Sequence, residues 1–448
     1  MMSSTIGAEL EAVADMLGRE LRSGTVVTEP SAITALIRPW NARVRARPSV
    51  VACCRTTADV QATVRAARSA GVPLSVLGGG HDWTGSAIRD GGLLVDLSDM
   101  RRVTVDGTEA RVAGGATVSD VLDAARPHGY AAAVGTVGSV GFTGLTLGGG
   151  YGTLIGVVGL GVDNVLSAEV VLADGRVVTA DPDHETDLFW ALRGGGGNFG
   201  VVTELRTRLY PLATVTSGTI AFGFDQARSV LRGWRDLMAS ADDALDVMFG
   251  AMSTPAGTVV YTGPTWAGDP GQAAGQIARV RALGEPVLDD VEERSLSDTV
   301  HAFDDAFPRG GNYHLGARLL PGLTDDAIDD FLRAAEAMPA TCVLNVHHAH
   351  GAATQVPVAD TAYAYRDEHL VVEIIGAWAH GDGAAESAWV RDSERLLDRH
   401  ALAGGWAALM APGDRRAGDA YGINTSRLLA VKAHYDPERV FTATPLPR

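Results

Sequence analysis

Two hydrophobic periods, near 3.6 and near 2, take turns along the chain, and the switches between them mark its elements. Helical spacing from Met1 to Gly24 predicts an amphipathic helix. The apolar run "SVVACC", 49–54, predicts a strand that puts Cys53 and Cys54 on opposite faces. "TTADVQATVRAARSAG" returns to helical spacing; Thr57 or Asp59 can cap its start and Gly71 ends it. "PLSVLGGG" and "GLLVDLSDM" read as strands around a glycine loop. "ARVAGGATVSDVLDAARPHG" repeats the scheme: a strand, a Gly114-Gly115 turn, and a helix from Ser119 that stops at Gly129. "LSAEVVLADGRVVTAD" reads as a hairpin around Asp174-Gly175. "DLFWALRGGGGNFGVVTELRTRLYPL" gives a short helix, a glycine loop and a strand.

After Pro211 the texture changes. Helical stretches ("DQARSVLRGWRDLMAS", "GDPGQAAGQIARVRALG", "DDAIDDFLRAAEAM") alternate with strand stretches ("ALDVMFGAMS", "GTVVYTGPTW", "ATCVLNVHHAH", "EHLVVEIIGAWA"). This predicts an antiparallel sheet with helices on one face. "DAYGINTSRLLAVKAHYDPERVF" predicts a helix stopped at Asp436-Pro437, then a short strand. The expected class is α+β.

Composition sharpens this picture in three places. Glycine makes up 54 of 448 residues, well above the usual ~7%, and the excess lies between Gly78 and Gly200. The net charge of −17 argues against nucleic acid and anionic membrane as partners. Three cysteines, Cys53, Cys54 and Cys342, with no CxxC, give neither a disulfide framework nor a zinc site. The N-terminus lacks a secretory apolar core, and no apolar run reaches ~18 residues. A cytoplasmic protein is expected, and nothing in the sequence sets its oligomeric state.

The glycines fall into four loops, at 78–80, 114–115, 148–152 and 194–197. Clustered backbone N–H groups without side chains make anion cradles, and four of them suit an extended ligand such as a dinucleotide. A Walker loop needs Gly-Lys-Ser/Thr, and the only lysine is Lys432. The nearest GxGxxG, at Gly150-Tyr-Gly152-Thr-Leu-Ile-Gly156, is one residue too wide and has no opening strand. His81 directly follows Gly78-Gly79-Gly80. A neutral imidazole there can cap a backbone group or attack an electrophilic carbon of the bound ligand.

"LGGGHDWTG…DGGLLVDLSDM", "VGFTGLTLGGGYGTL…GLGVDNV", "VVLADGRVV", "DLFWALRGGGGNFGVVTEL" and "YGINTSRLLAVKAHYDPERVF" occur in this order. Together they resemble the berberine-bridge-enzyme-like oxidases, whose FAD domain is of the p-cresol methylhydroxylase/vanillyl-alcohol oxidase type. The resemblance implies a two-lobed FAD-binding domain, residues 1–212 with a returning C-terminal segment 405–448. A substrate domain of antiparallel sheet and helices, 213–404, would be inserted between. It implies FAD covalently bound through its 8α-methyl carbon to His81. Gly78, Gly79 and Gly80 would cradle the pyrophosphate, beside Asp82, Trp83 and Gly85. Gly115, Gly135, Thr136, Val137, Gly138, Gly141, Gly144, Gly149, Gly150, Gly152, Gly200, Val201 and Val202 would line the cofactor, with Tyr421 and Asn424 returning to it. Where relatives carry a second, cysteinyl tether, this chain has Val134, so a single tether is expected. Leu77 replaces a common arginine, and "GGWAALMAPGDRRAGDAYG" lacks the tyrosine that serves relatives as base.

Candidate chemistry then moves to the inserted sheet. In "NVHHAHGA", His348 and His350 are two apart and share a face, while His347 points away. The resemblance puts the pair near substrate-facing positions, and imidazole is a suitable base at neutral pH; a satisfied histidine cluster fits the same residues. Tyr313, His314 and Glu373 are further wall candidates. Tyr151 and Tyr421 could line the mouth, Tyr421 as a further catalytic candidate beside His348 and His350, and Trp83 either packs beside the flavin or simply fills core. The expected function is an FAD oxidase taking hydride from an alcohol or amine carbon of a small molecule and passing electrons to O₂. The alternatives are a flavin dehydrogenase with another acceptor and a small-molecule sequestering or resistance protein.

Overall fold

Capping chemistry sets the helix starts in the first half. The computed structural model describes residues 2–447, with side chains described within 8–447 except at 303; Met1, the first residue of the expected leading helix, lies outside them. That helix runs Met2–Glu20. After a short second helix, Pro30–Leu36, the third, Thr57–Ala70, is capped by Thr56, just before the expected Thr57 or Asp59. Thr56 Oγ1 accepts the Asp59 N–H (3.2 Å) and the Asp59 carboxylate accepts the Thr56 N–H (3.1 Å), a reciprocal box. Gly71 ends the helix at φ 65°. Thr117 and Asp120 repeat the box for the helix Val118–Ala125.

Three sheets follow. The first has the order Thr25–Val27, Val50–Cys53, Leu93–Asp96, Leu74–Leu77, its last three strands parallel. Leu10, Val13, Leu17, Val60 and Val64 of the first and third helices close its core against Val50, Leu93 and Val95. The second is antiparallel and built around the long strand Val201–Pro211, which pairs with Glu109–Ala113, Val165–Val171 and Tyr130–Ala132. The predicted hairpin appears as Val165–Val171 and Val177–Ala180.

The third sheet has nine antiparallel strands. Its main order is Pro286–Asp289, Ile220–Gly223, Gly257–Trp266, Leu245–Thr254, Val343–Ala349, His369–Trp378, Asn312–Leu320. Helices Ala227–Met238, Asp325–Glu336 and Ala384–Leu397 cover one face, where Val230, Trp234, Phe331 and Trp389 pack on Phe249, Leu344 and Val372. The other face turns toward the first lobe. This is the α+β, two-lobed arrangement expected. The edge strand Asn312–Leu320 and the helix Leu296–Ala306 were not among the predicted elements.

Among the described residues the expected final strand is absent: residues 436–447 are irregular. Asp436 explains why. Its carboxylate takes the N–H groups of Val440 and Phe441 (both 2.9 Å), so they have no use for a sheet neighbour. Lys432, the only lysine, donates to Asp436 (2.5 Å), to Asn198 O and to Phe441 O (both 2.6 Å). Both charges are buried, so the pair holds only while each satisfies the other. Lys432→Met is expected to lower unfolding free energy by about 3–5 kcal/mol, because it strands a buried carboxylate. Urea unfolding measures this, and an unchanged midpoint would contradict it.

Candidate functional site

A cavity of about 430 Å³ lies where the lobes meet, with glycine loops at one end and the bare face of the nine-stranded sheet at the other. Its first loop leaves the strand Leu74–Leu77. Gly79 lies so close to Gly141 that a Cβ on Gly79 would strike the Gly141 backbone, and one on Gly141 would come within 2.6 Å of Gly79 N. Gly80 turns the chain at φ 72°. The missing side chains let the two backbones touch, and both stretches border the cavity with bare backbone, as a closely held pyrophosphate requires.

His81 follows on this loop. Its Nε2 is 2.9 Å from Ser139 Oγ, and its ring stacks on Trp40 at 5.4 Å. Burial, helped by the Arg309 guanidinium, pushes its pKa down to about 3, so the imidazole is neutral. Arg309 donates to Gly79 O and Arg38 O (both 2.7 Å) and so braces the loop.

The expected cofactor residues divide into two groups. Gly78, Gly79, Gly80, His81 and Asp82 line the cavity, as do Gly135, Thr136, Val137, Gly141 and Gly144. Gly150, Gly200, Val201 and Val202 complete the set. The others stand behind this lining. Gly115 packs on the Leu97 carbonyl, Gly152 on the Val134 carbonyl, Gly149 on the Trp406 ring, Gly85 on Val44, and Gly138 beside Ser119 and Asp304. Their missing side chains permit close packing one layer out. Trp83 stacks with His314 (5.7 Å) in an adjoining recess of about 200 Å³ and donates to Leu409 O (3.2 Å). Tyr421 is buried and donates to Pro445 O (3.1 Å), away from the cavity lining. Asn424 ties the C-terminal segment to Val358 O and Thr361 O (2.8 and 3.0 Å). Both brace the returning tail, whose Thr442, Ala443 and Thr444 do reach the cavity.

The sheet wall corrects the histidine assignment. Leu344 and Val346 belong to the helix-covered core. His348 shares their parity, so it points the same way: it meets Trp234 edge-on (5.5 Å), stacks on His350 (4.7 Å) and bonds Glu368 (2.7 Å). His350, just past the strand, turns its Nδ1 to His348 O (2.9 Å). Neither lines the cavity. The opposite parity, Val343, Asn345 and His347, faces the first lobe, with Val343 and Asn345 in the cavity wall. The alternation of Leu344 and Val346 already carried this signal.

Glu373 sits at the centre of that wall. Tyr151 Oη donates to its Oε1 (2.6 Å), Asn345 Nδ2 to its Oε2 (2.8 Å), and His347 Nε2 lies 3.5 Å away. Tyr261 donates to Asn345 Oδ1 (2.9 Å) and sets the amide's direction. Burial alone would raise the Glu373 pKa, but His347, Tyr151 and Asn345 outweigh it and bring it below the usual glutamate value. Burial, then the nearby Glu373 charge, pushes Tyr151 well above its ordinary value. The carboxylate is therefore the ionised member and the phenol the donor. Asn345, His347 and Tyr261 were not among the sequence candidates. Asn345 and His347 stand two apart on one strand and are 2.9 Å from each other (Nδ2 to Nε2), but Glu373 and Tyr261, which give them their place, come from other strands.

A family described as "FAD binding domain" matches residues 48–181, and one described as "Berberine and berberine like" matches residues 409–445. FAD-linked oxidoreductase aurO of Gibberella zeae is 31% identical over 417 residues, 90% of this chain and 81% of that one. The chain belongs to the berberine-bridge-enzyme-like FAD-linked oxidoreductases. A further relative, (R)-6-hydroxynicotine oxidase of Paenarthrobacter nicotinovorans, is 36% identical over 291 residues; this alignment spans 62% of each chain. Among solved structures, glucooligosaccharide oxidase from Acremonium strictum, described with 6-S-cysteinyl, 8α-N1-histidyl FAD, superposes with TM-score 0.86 at 24% identity, covering 97% of this chain and 99% of that one. In this berberine-bridge-like chain the FAD-domain match contains the loops at 78–80, 114–115 and 148–152.

Gly79→Ala is expected to weaken FAD binding roughly tenfold or more, since overpacking costs about 1–3 kcal/mol. FAD retained per chain after gel filtration reads this, and wild-type occupancy would contradict the steric argument.

Proposed function

We propose that the protein is an oxidase that takes hydride from an alcohol or amine carbon of a small, largely apolar molecule, with Glu373 as catalytic base. FAD, held by the glycine loops around Gly78–Gly80, Gly141 and Gly150, would supply the hydride acceptor, with O₂ as the final oxidant and H₂O₂ as its product. The observation that carries this reading is one shielded, ionised carboxylate on the wall of the cavity that His81 also lines. The other lining acid, Asp82, is engaged by Thr84 Oγ1 (2.7 Å) and the Ala87 N–H (2.7 Å). Glu373 accepts the O–H or N–H proton as the adjoining carbon gives up hydride. Tyr151 and Asn345 hold the carboxylate in place and balance its charge.

Leu315, Val343, Ile375 and Leu409 line the same cavity as the carboxylate. A sugar would leave hydroxyls unpaired against such walls, which favours an aromatic amine or alcohol. The berberine-bridge-like family spans both kinds: one relative is named for hydroxynicotine, another for an oligosaccharide. His81 is the single tether, a neutral imidazole in the lining, with Val134 where a cysteinyl bond would need sulfur. The division at residues 212 and 404 follows the same reading.

Glu373→Gln should slow anaerobic flavin reduction by roughly 10²–10⁴-fold at unchanged FAD content. A wild-type rate would remove Glu373 from the mechanism. The base works ionised, and its pKa is depressed. Wild-type turnover is thus expected to persist above the ordinary carboxylate range and fall as pH drops below it, with no such limb in Glu373→Gln. Mixing reduced enzyme with O₂ tests the acceptor; reoxidation over minutes or longer would favour a dehydrogenase. On acid precipitation the yellow colour should stay with wild type and leave His81→Ala.

A further inference from the structure

A short hydrogen-bond chain behind His81 belongs neither to the glycine cradle nor to the substrate wall. Asp304, on the helix Leu296–Ala306, accepts Ser139 Oγ–H (2.5 Å) and the Ser139 N–H (3.0 Å). Ser139 Oγ is in turn 2.9 Å from His81 Nε2. A serine hydroxyl has one proton, and an ionised carboxylate only accepts. The proton therefore goes to Asp304, and the oxygen presents a lone pair to His81. His81 must answer with Nε2–H, which leaves the lone pair of Nδ1 free.

We propose that Ser139 and Asp304 are positioning residues for covalent flavin attachment: they hold His81 as the Nε2–H tautomer, leave Nδ1 as the nucleophile, and receive the Nε2 proton as the bond forms. This rests on the tether reading of His81 given above. One C–H of the 8α-methyl carbon and the Nε2–H of His81 are lost, and a C–Nδ1 bond forms. The electron pair left on the ring system passes to dioxygen, which takes up two protons and leaves as H₂O₂.

The relay is held from the second lobe. Val300 O accepts the Gly138 N–H (3.3 Å), Phe307 O accepts Trp40 Nε1–H (2.9 Å), and Arg309 reaches Gly79 O (2.7 Å). The residues at 300–309 thus clasp both sides of the His81 loop, and attachment depends on their docking.

The test compares purified wild type, Ser139→Ala, Asp304→Asn and Ser139→Thr for total FAD per chain, for flavin fluorescence on denaturing gels and for intact mass. Ser139→Thr keeps the hydroxyl and should attach flavin as wild type does. Ser139→Ala and Asp304→Asn should bind as much FAD but convert it to the acid-stable form roughly 10²-fold more slowly. Wild-type attachment in both of these variants would overturn the relay while leaving the tether intact. Loss of total FAD together with the tether would show a merely structural role and overturn it as well. Acid-released flavin from the wild type itself would instead overturn the tether.

Discussion

Backbone meets backbone where Gly79 lies against Gly141, and the cavity owes its shape to the absence of both side chains. The first glycine loop meets the stretch around Gly141 there, and both border one cavity. His81 comes two residues after that contact, so its ring position is inherited from it. The clasp by Trp40, Arg309 and Phe307 O holds the same loop from outside. Asn41 adds a second anchor, donating to Trp83 O (2.7 Å) and Tyr313 O (3.0 Å), while Trp40 stacks on Tyr313 at 3.9 Å. Cofactor loop and sheet edge are therefore packed as one unit.

Charge is handled differently at the two ends of the cavity. At His81, burial beside a guanidinium removes the proton and leaves a neutral ring. At Glu373, donors converge strongly enough to keep a shielded carboxylate ionised. The difference lies in the partners: Tyr151 and Asn345 donate to Glu373, whereas His81 faces a hydroxyl whose proton is already committed. Lys432 and Asp436 solve a third version of the problem. They neutralise each other out of water and bring the tail to the cavity rim.

Much of the fold was legible because its signals are local. The two helices, whose starts were read within a residue or two of the true caps Thr56 and Thr117, the stop at Gly71 and the Asp174-Gly175 hairpin depend on neighbours within a few residues. The cavity-lining glycines were legible as a group, but which of them touch the ligand space was not. Gly115, Gly152 and Gly141 look alike in sequence, and each has another backbone against it, yet only Gly141 also borders the cavity. The strand expected after Asp436 failed because one carboxylate captures the N–H groups that a sheet would need. The histidines of Val343–Ala349 show a narrower failure. Their alternation was read correctly, but its phase was set to the wrong face. Leu344 and Val346 set the phase, because the apolar side of this strand is the one under the helices.

The sequence by itself determined the family, the α+β class, the glycine loop and the place of His81 on it, because these rest on residue type and short spacing. Tertiary structure alone decided the candidate chemistry. Glu373 acquires its role from Tyr151, more than 200 positions earlier, and from Asn345 on the neighbouring strand. Ser139 meets His81 and is met in turn by Asp304 from the other lobe. A side chain's protonation state depends on the groups within a few ångströms of it, and folding brings those groups together from distant parts of the chain.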